Sequence, residues 1–434
     1  MRFCGLLAAV IFLLGVMAVQ GQEPNGEAFP TPATKKGLQV QMIDDALSLG
    51  VGHAALNLNL TAMADLAGHP ESVRFKSGER EFTFAKHVVD DLDRRVKPLS
   101  DKGVVVYLIL LTYASNDPAR DALMLHPAYA KGKKDTGPIG MFNVTSEEGR
   151  AWLTAMMEFL SARYSGKAVE HGRVWGYIAG NEVNSHWYWA NMGYAPLDEV
   201  VATYEQAVRI IHTAVRKSSV NARVYLSLEH YWAKRYPAGN SKQSVPGRDF
   251  LKAFAALARK HGDFDWQLAY HPYPEPLTDC RFWKDKKHSP QSPKAEVVSF
   301  RNLDVLSDFM KQEEMLWNGK PRRVIFSEQG FHCDDSPTGE RDQAAAYALA
   351  YLLVEKQELV DAFILHRHVD HSQEGGLRLG LWTNKPGSIA TPDRKRMMYE
   401  AFLAAGTPQQ EQAFTFALEA LGVKSWEEAM ELLK

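Results

Sequence analysis

The chain is short of three things that would have settled its class at a glance. It has 3 cysteines in 434 residues, too few for a disulfide scaffold. It has no excess of positive charge: 50 Lys and Arg stand against 52 Asp and Glu, a formal charge of −2. A phosphate-binding surface is therefore not indicated, and no nucleic-acid partner is expected. It has no GxGxxG or GxxxxGK[ST] turn, which argues against a doubly wound nucleotide-binding sheet, and no HExxH. No cofactor and no metal is expected. No internal repeat, low-complexity tract or late Gly/Ser/Pro linker divides the chain.

Long apolar runs are confined to the N-terminus, "MRFCGLLAAVIFLLGVMAVQGQEPNGEAFPTPATKKG". Arg2 supplies a positive start, Leu6 to Val16 the apolar stretch, and small residues lead into a polar segment. Residues 1–21 read as a secretory signal, so the protein is expected to be exported, to the periplasm, cell surface or medium. A retained anchor is the alternative, although the run is short for a span. Cys4 precedes the apolar stretch and is not a lipobox cysteine. Cys280 and Cys333 remain, either paired or as two free, half-buried thiols. Residues 22–37 read as an unstructured leader, 38–405 as one folded unit, and 406–434 as a helical tail with Ser425 as a helix cap. Oligomeric state is not legible.

Apolar residues make up 45% of the chain, enough for a large core. Strand-like runs alternate with amphipathic helical patterns. The strands read as Val51–Leu60, the short Glu81–Phe84, Val104–Leu111, "VWGYIAGNEV", Arg223–Trp232, Phe264–Pro274, Arg322–Phe331 and Asp361–His368. "VVVYLILL" is apolar throughout, as expected of a strand covered on both faces. Thr145 and Glu148 form a capping-box pattern ahead of Trp152, Met156 and Phe159. Eight strands with helices between them predict an α/β fold, a (β/α)8 TIM barrel with a C-terminal helical extension.

The strands share a second property: six of the apolar runs finish in polar or aromatic groups. Asn57 and Asn59, Asn181 and Glu182, Glu229 and His230, His271 and Tyr273, Glu328 and Gln329, His366 and His368 all stand at strand ends. In a barrel these ends form one rim, where catalytic groups gather. Glu182 and Glu328 end the fourth and seventh strands. Two carboxylates facing each other are what glycosidic cleavage needs, one protonated to serve the leaving oxygen and one ionised. Tyr273 and a histidine suit Glu328 as the anion. Asn181, Trp187, Tyr188 and Trp189 give Glu182 a less polar setting, suited to the proton donor. Trp187 or a neighbour is a candidate for stacking on sugar, and Glu229 and His230 for supporting contacts.

These residues resemble the clan of retaining glycoside hydrolases built on TIM barrels. "GNEV" matches the Asn-Glu that ends strand four there, "IFSEQG" the nucleophile of strand seven, and "HPY" (271–273) the His and Tyr beside it. More closely, residues 36–405 resemble a secreted bacterial family known as domain of unknown function 5722. The resemblance implies a double displacement with Glu182 as acid/base, Glu328 as nucleophile and Asn181 on the sugar 2-hydroxyl. Many members of the clan end strand eight with a Trp that floors the sugar site. Here the strand ends "ILHRHVDH", and Trp382 is the candidate replacement.

The expectation is a glycosidase acting on a polysaccharide or oligosaccharide. The main rival is a non-catalytic carbohydrate-binding barrel, which would need neither carboxylate. A metal-dependent hydrolase using His366, His368, Asp370 and His371 is the third reading.

Overall fold

The computed structural model describes residues 23–133 and 136–434. The expected signal segment and Cys4 lie outside them. Eight strands, each paired in parallel with two neighbours, close into a ring: β1 (Lys36–Gln39), β2 (His53–Asn59), β3 (Val105–Tyr113), β4 (Gly176–Ala179), β5 (Arg223–Glu229), β6 (Trp266–His271), β7 (Val324–Phe326) and β8 (Val360–Leu365). The ring shuts where Lys36, Gly37 and Leu38 pair with Phe363, Ile364 and Leu365. Outside it run α1 (Ile43–Ser48), α2 (Lys86–Asp101), α3 (Glu147–Tyr164), α4 (Leu197–Arg216), α5 (Gly247–Lys260), α6 (Leu303–Met310), α7 (Gly339–Glu355) and α8 (Met397–Ala404). The fold is a (β/α)8 barrel.

Strand patterning follows from the two apolar surfaces each strand must satisfy. On β3, Tyr107 and Ile109 point inward to meet Ile178, Tyr225, Ala269, Ile325 and Ile364. Val106, Leu108 and Leu110 point outward into the larger core under the helices. Gly176 opens β4 because the interior is already full there: a Cβ would lie 2.2 Å from Cδ1 of Tyr107. On α2, Val89, Leu92, Val96 and Leu99 are buried at helical spacing, each stabilising by roughly 1.5–3 kcal/mol.

The sequence reading differs from the structure at the start of the barrel. Glu81–Phe84 is not a barrel strand. It lies in the second arm of a hairpin, Val73–Ser77 with Arg80–Phe84, which packs Phe75 on Phe159 and Phe82 on Trp152 of α3. The true first strand begins inside the expected leader. It hides because its four residues look polar: Lys36 is buried with its ammonium on the carbonyls of Phe402 and Leu403, and burial lowers its pKa to about 8. One strand too many and one too few cancel, so Glu182 and Glu328 still follow the fourth and seventh strands.

The leader itself is tied down. Asn25 pairs with Ser218 and Val220, and Phe29 sets its edge against Trp175 with the Arg223 guanidinium over its ring. At α3 the cap is Ser146, which accepts from the Gly149 amide, while Glu148 turns to Trp152 and Arg80. The C-terminal tail forms three short helices, Gln410–Phe414, Phe416–Leu421 and Trp426–Glu431. They lie on the outer ring, with Phe414 against Tyr351 of α7, rather than over an end of the barrel. Ser425 caps the last one, accepting from Glu428. Cys280 and Cys333 are free and buried. Among the described residues no helix is long and apolar enough to cross a membrane.

Candidate active site

Glu182 stands three residues past β4, after Gly180 and Asn181. Its backbone is left-handed, with φ 43° and ψ 49°, a conformation that costs a non-glycine residue energy and must be held from outside. Several bonds hold it. The Glu182 amide donates to Ser227 Oγ at 3.0 Å, and its carbonyl accepts from the Ser185 amide at 2.8 Å. The next residues are clamped by Glu229: Asn184 Nδ2 and Ser185 Oγ donate to Oε1 of Glu229 at 2.6 and 3.1 Å. The Glu229 amide donates back to Asn184 Oδ1, and the Tyr231 amide occupies Oε2.

Burial pushes the Glu229 carboxyl up to about 7, against the His230 charge; the charge of Glu182 adds to the rise. His230 turns to Glu275, 3.1 Å away, as does the Tyr231 hydroxyl. These two sequence candidates therefore bind the scaffold of the loop that carries Glu182.

Glu328 follows β7. Tyr273 donates to Oε1 at 3.2 Å and Gln39 to Oε2 at 3.3 Å. The expected histidine bond goes elsewhere: His271 Nδ1 is 2.8 Å from Oε1 of Glu182, and its Nε2 is 3.1 Å from Ser327 Oγ. One oxygen from each carboxylate and one His271 nitrogen all lie within 4.8 Å of one another. Burial would raise the Glu328 carboxyl, but the charges of His366 and His271 and the Gln39 bond outweigh it and hold the group below the ordinary 4.5. Burial likewise would lower His271, yet the neighbouring Glu328 and Glu182 raise it. The site thus pairs a carboxylate held ionised, Glu328, with a second carboxylate, Glu182, that is hydrogen-bonded to a buried histidine.

The remaining candidates divide. Asn181 stands beside Glu182, and its amide has no hydrogen-bond partner among the described residues. Asn57 is exposed on the barrel rim. His366 bridges Gln39 and Glu374, with its ring nitrogens 2.6 and 2.5 Å away; burial would raise the Glu374 carboxyl, but the bonds and charges of His366 and Arg367 carry it down to about 2. His368 leaves the site: its ring accepts from the amides of Gln41 and Met42 and meets Asp45, which also holds the Trp382 indole. Asp370 pairs with Arg396, and His371 accepts from the Gln373 amide. Those four strand-eight groups therefore serve separate partners. Among the described residues, the trio near enough to share a cation is Glu182, His271 and Glu328. Trp187 is buried and stacked on Tyr194 at 4.5 Å, leaving Tyr194 and Trp189 as the exposed aromatics of this loop.

Sequence reasoning missed Gln39, Ser227 and Glu374. Ser227 was within reach, being the inward position two before Glu229. Gln39 was lost with β1, and Glu374 lies in a loop without periodicity.

Solved structures similar to this chain share its barrel. A family 39 glycoside hydrolase from Bacteroides cellulosilyticus WH2 aligns at 15% identity and a TM-score of 0.54, over 88% of this chain and 66% of that one. A β-glucosidase from Pyrococcus furiosus aligns at 14% identity and a TM-score of 0.54, over 87% and 86%. A glucosidase from Croceicoccus marinus aligns at 12% identity and a TM-score of 0.51, over 88% and 69%. At such identities the likeness establishes the fold. No curated protein sequence matches. The sequence pattern of one family covers residues 28–429, and the chain belongs to it: the family of unknown function DUF5722.

Proposed function

We propose that the protein is an exported glycoside hydrolase that cleaves O-glycosidic bonds of a polysaccharide or oligosaccharide with retention of configuration. The observation that carries this is the approach of the two carboxylates, whose nearer oxygens stand within 4.8 Å across His271. Retaining enzymes hold their pair about 5–5.5 Å apart, whereas inverting ones leave about 6.5–9.5 Å for a water. The barrels it is similar to, among them a family 39 glycoside hydrolase and β-glucosidases, lend the reading support, and the N-terminal sequence supports export.

Glu328, held ionised, attacks the anomeric carbon. The bond to the leaving oxygen breaks as Glu182 gives that oxygen its proton. Glu182, now a base, takes a proton from water, which attacks the anomeric carbon and releases Glu328. His271 holds the Glu182 carboxyl in position. Asn181, with its amide unspent, faces the sugar 2-hydroxyl.

The test is product analysis by NMR on a polysaccharide panel, with Glu328→Ala and Glu182→Ala beside the wild type. The first product retains its anomeric configuration, and Glu328→Ala does not turn over. Glu182→Ala loses about 10²–10⁴-fold, less on aryl glycosides whose leaving group needs no proton, and azide restores turnover. Inverted product, or turnover kept by both variants, overturns the reading. Binding without turnover in the wild type would instead identify a carbohydrate-binding barrel.

A further inference from the structure

The rim of the barrel is notched beside Glu328. β1 leaves the sheet after Gln39, which pairs with Ala55, whereas β2 continues along β3 until Asn59 meets Leu111. The gap holds a pocket of about 330 Å³ whose walls include Gln39, Gln41, Asn57, Asp91, Arg95 and Arg367. That volume is at the lower end of small-ligand sites. Gln39 is common to the pocket and the nucleophile, since its amide donates to Glu328. In the proposed mechanism the nucleophile's side holds the glycone, so the notch extends the cleft past the sugar under attack.

Its charge is distinctive. A guanidinium offers five donors in a planar fork, and neither arginine spends more than a fraction of them. Arg95 makes one long bond to the Asn57 carbonyl at 3.4 Å and stands 3.6 Å from Asp91. Arg367 gives one nitrogen to Glu374 at 3.1 Å. Asp91, the carboxylate of this lining, is already engaged by Arg94 at 3.1 Å. The Asn57 amide has no hydrogen-bond partner among the described residues. Two cations with donors to spare and an idle amide suit a planar or tetrahedral oxyanion.

We infer that the notch is a glycone-side subsite for a sugar unit bearing an anionic group, a carboxylate or a sulfate ester. The substrate is then an acidic polysaccharide with at least one unit beyond the one attacked. This rests on the glycosidase reading and names its substrate class.

Binding by the Glu328→Ala protein tests it without turnover. The probes are matched pairs on a glycan array, followed by calorimetry: polyuronate oligosaccharides against their carboxyl-reduced forms, and sulfated galactan oligosaccharides against their desulfated forms. One charged form binds at least about tenfold more tightly than its neutral partner, and the advantage shrinks with salt. Adding Arg95→Gln and Arg367→Gln brings the ratio close to one. A response in the uronate pair names the carboxylate; a response in the sulfated pair names the ester. Equal binding within both pairs, or a preference that survives both arginine substitutions, overturns the inference. Cleavage of neutral glycans by the wild type with no charge preference would leave the glycosidase standing and remove this subsite. Charged-glycan binding without any cleavage would do the reverse.

Discussion

Nδ1 of His271 lies 2.8 Å from Oε1 of Glu182, with both groups buried. The contact makes the histidine a hinge between the two carboxylates, because its charge also acts on Glu328. His271→Gln removes that positive neighbour, so the Glu328 carboxyl rises and the acid limb of kcat/KM moves to higher pH. Stability has a matching sign. The raised His271 pKa contributes stability that is complete below its unfolded value of 6.5 and is lost as pH rises through the folded value. The depressed Glu328 contributes stability above 4.5 that is lost as pH falls through its folded value. Melting temperature against pH should decline less steeply on the alkaline side in His271→Gln, the remainder coming from the raised Glu229 and His230. An unmoved acid limb would show that His271 only packs.

Glu229 is a buried carboxyl whose oxygens are taken up by Asn184, Ser185 and the Tyr231 amide. Its pKa rises from 4.5 to about 7, so between those values the folded chain binds more protons than the unfolded chain. Stability therefore falls as pH climbs through that window. In Glu229→Gln the slope flattens. Because an amide cannot accept at both ends, the turn carrying Glu182 also loosens: kcat drops about tenfold or more while KM stays near wild type. Paired pH melts and Michaelis kinetics check both. A change in KM alone would place Glu229 in substrate contact.

Gly176→Ala sets a methyl group against the Tyr107 ring inside the barrel, where the space is already filled. Overpacking of this kind costs about 1–3 kcal/mol. Denaturant unfolding should show it as a lower midpoint, and a second change, Tyr107→Phe, should not relieve it because the clash is with a ring carbon. An unchanged midpoint would mean that the interior layer gives way.

The barrel was legible because its strands answer to two apolar surfaces at once, which writes runs such as "VYLILLTY" into the sequence. Glu182, Glu328, His271 and Tyr273 were legible for a related reason: they are polar residues at the ends of such runs. β1 was not legible, since a strand of four residues with a buried lysine and a half-buried glutamine carries no apolar signal. The fate of His368 and Trp382 was not legible either. Whether a strand-end histidine faces the barrel mouth or a neighbouring helix depends on where Asp45 of α1 comes to rest.

Alternation of buried and exposed positions is a local property of the chain, so the sequence alone determined the barrel class and placed its two acids at strand ends. Distances are not local. The spacing of Glu182 and Glu328, the notch between β1 and β2, and the clamp of Glu229 on the turn that carries Glu182 were decided only when strands remote in sequence closed into one ring and their side chains competed for the same few partners.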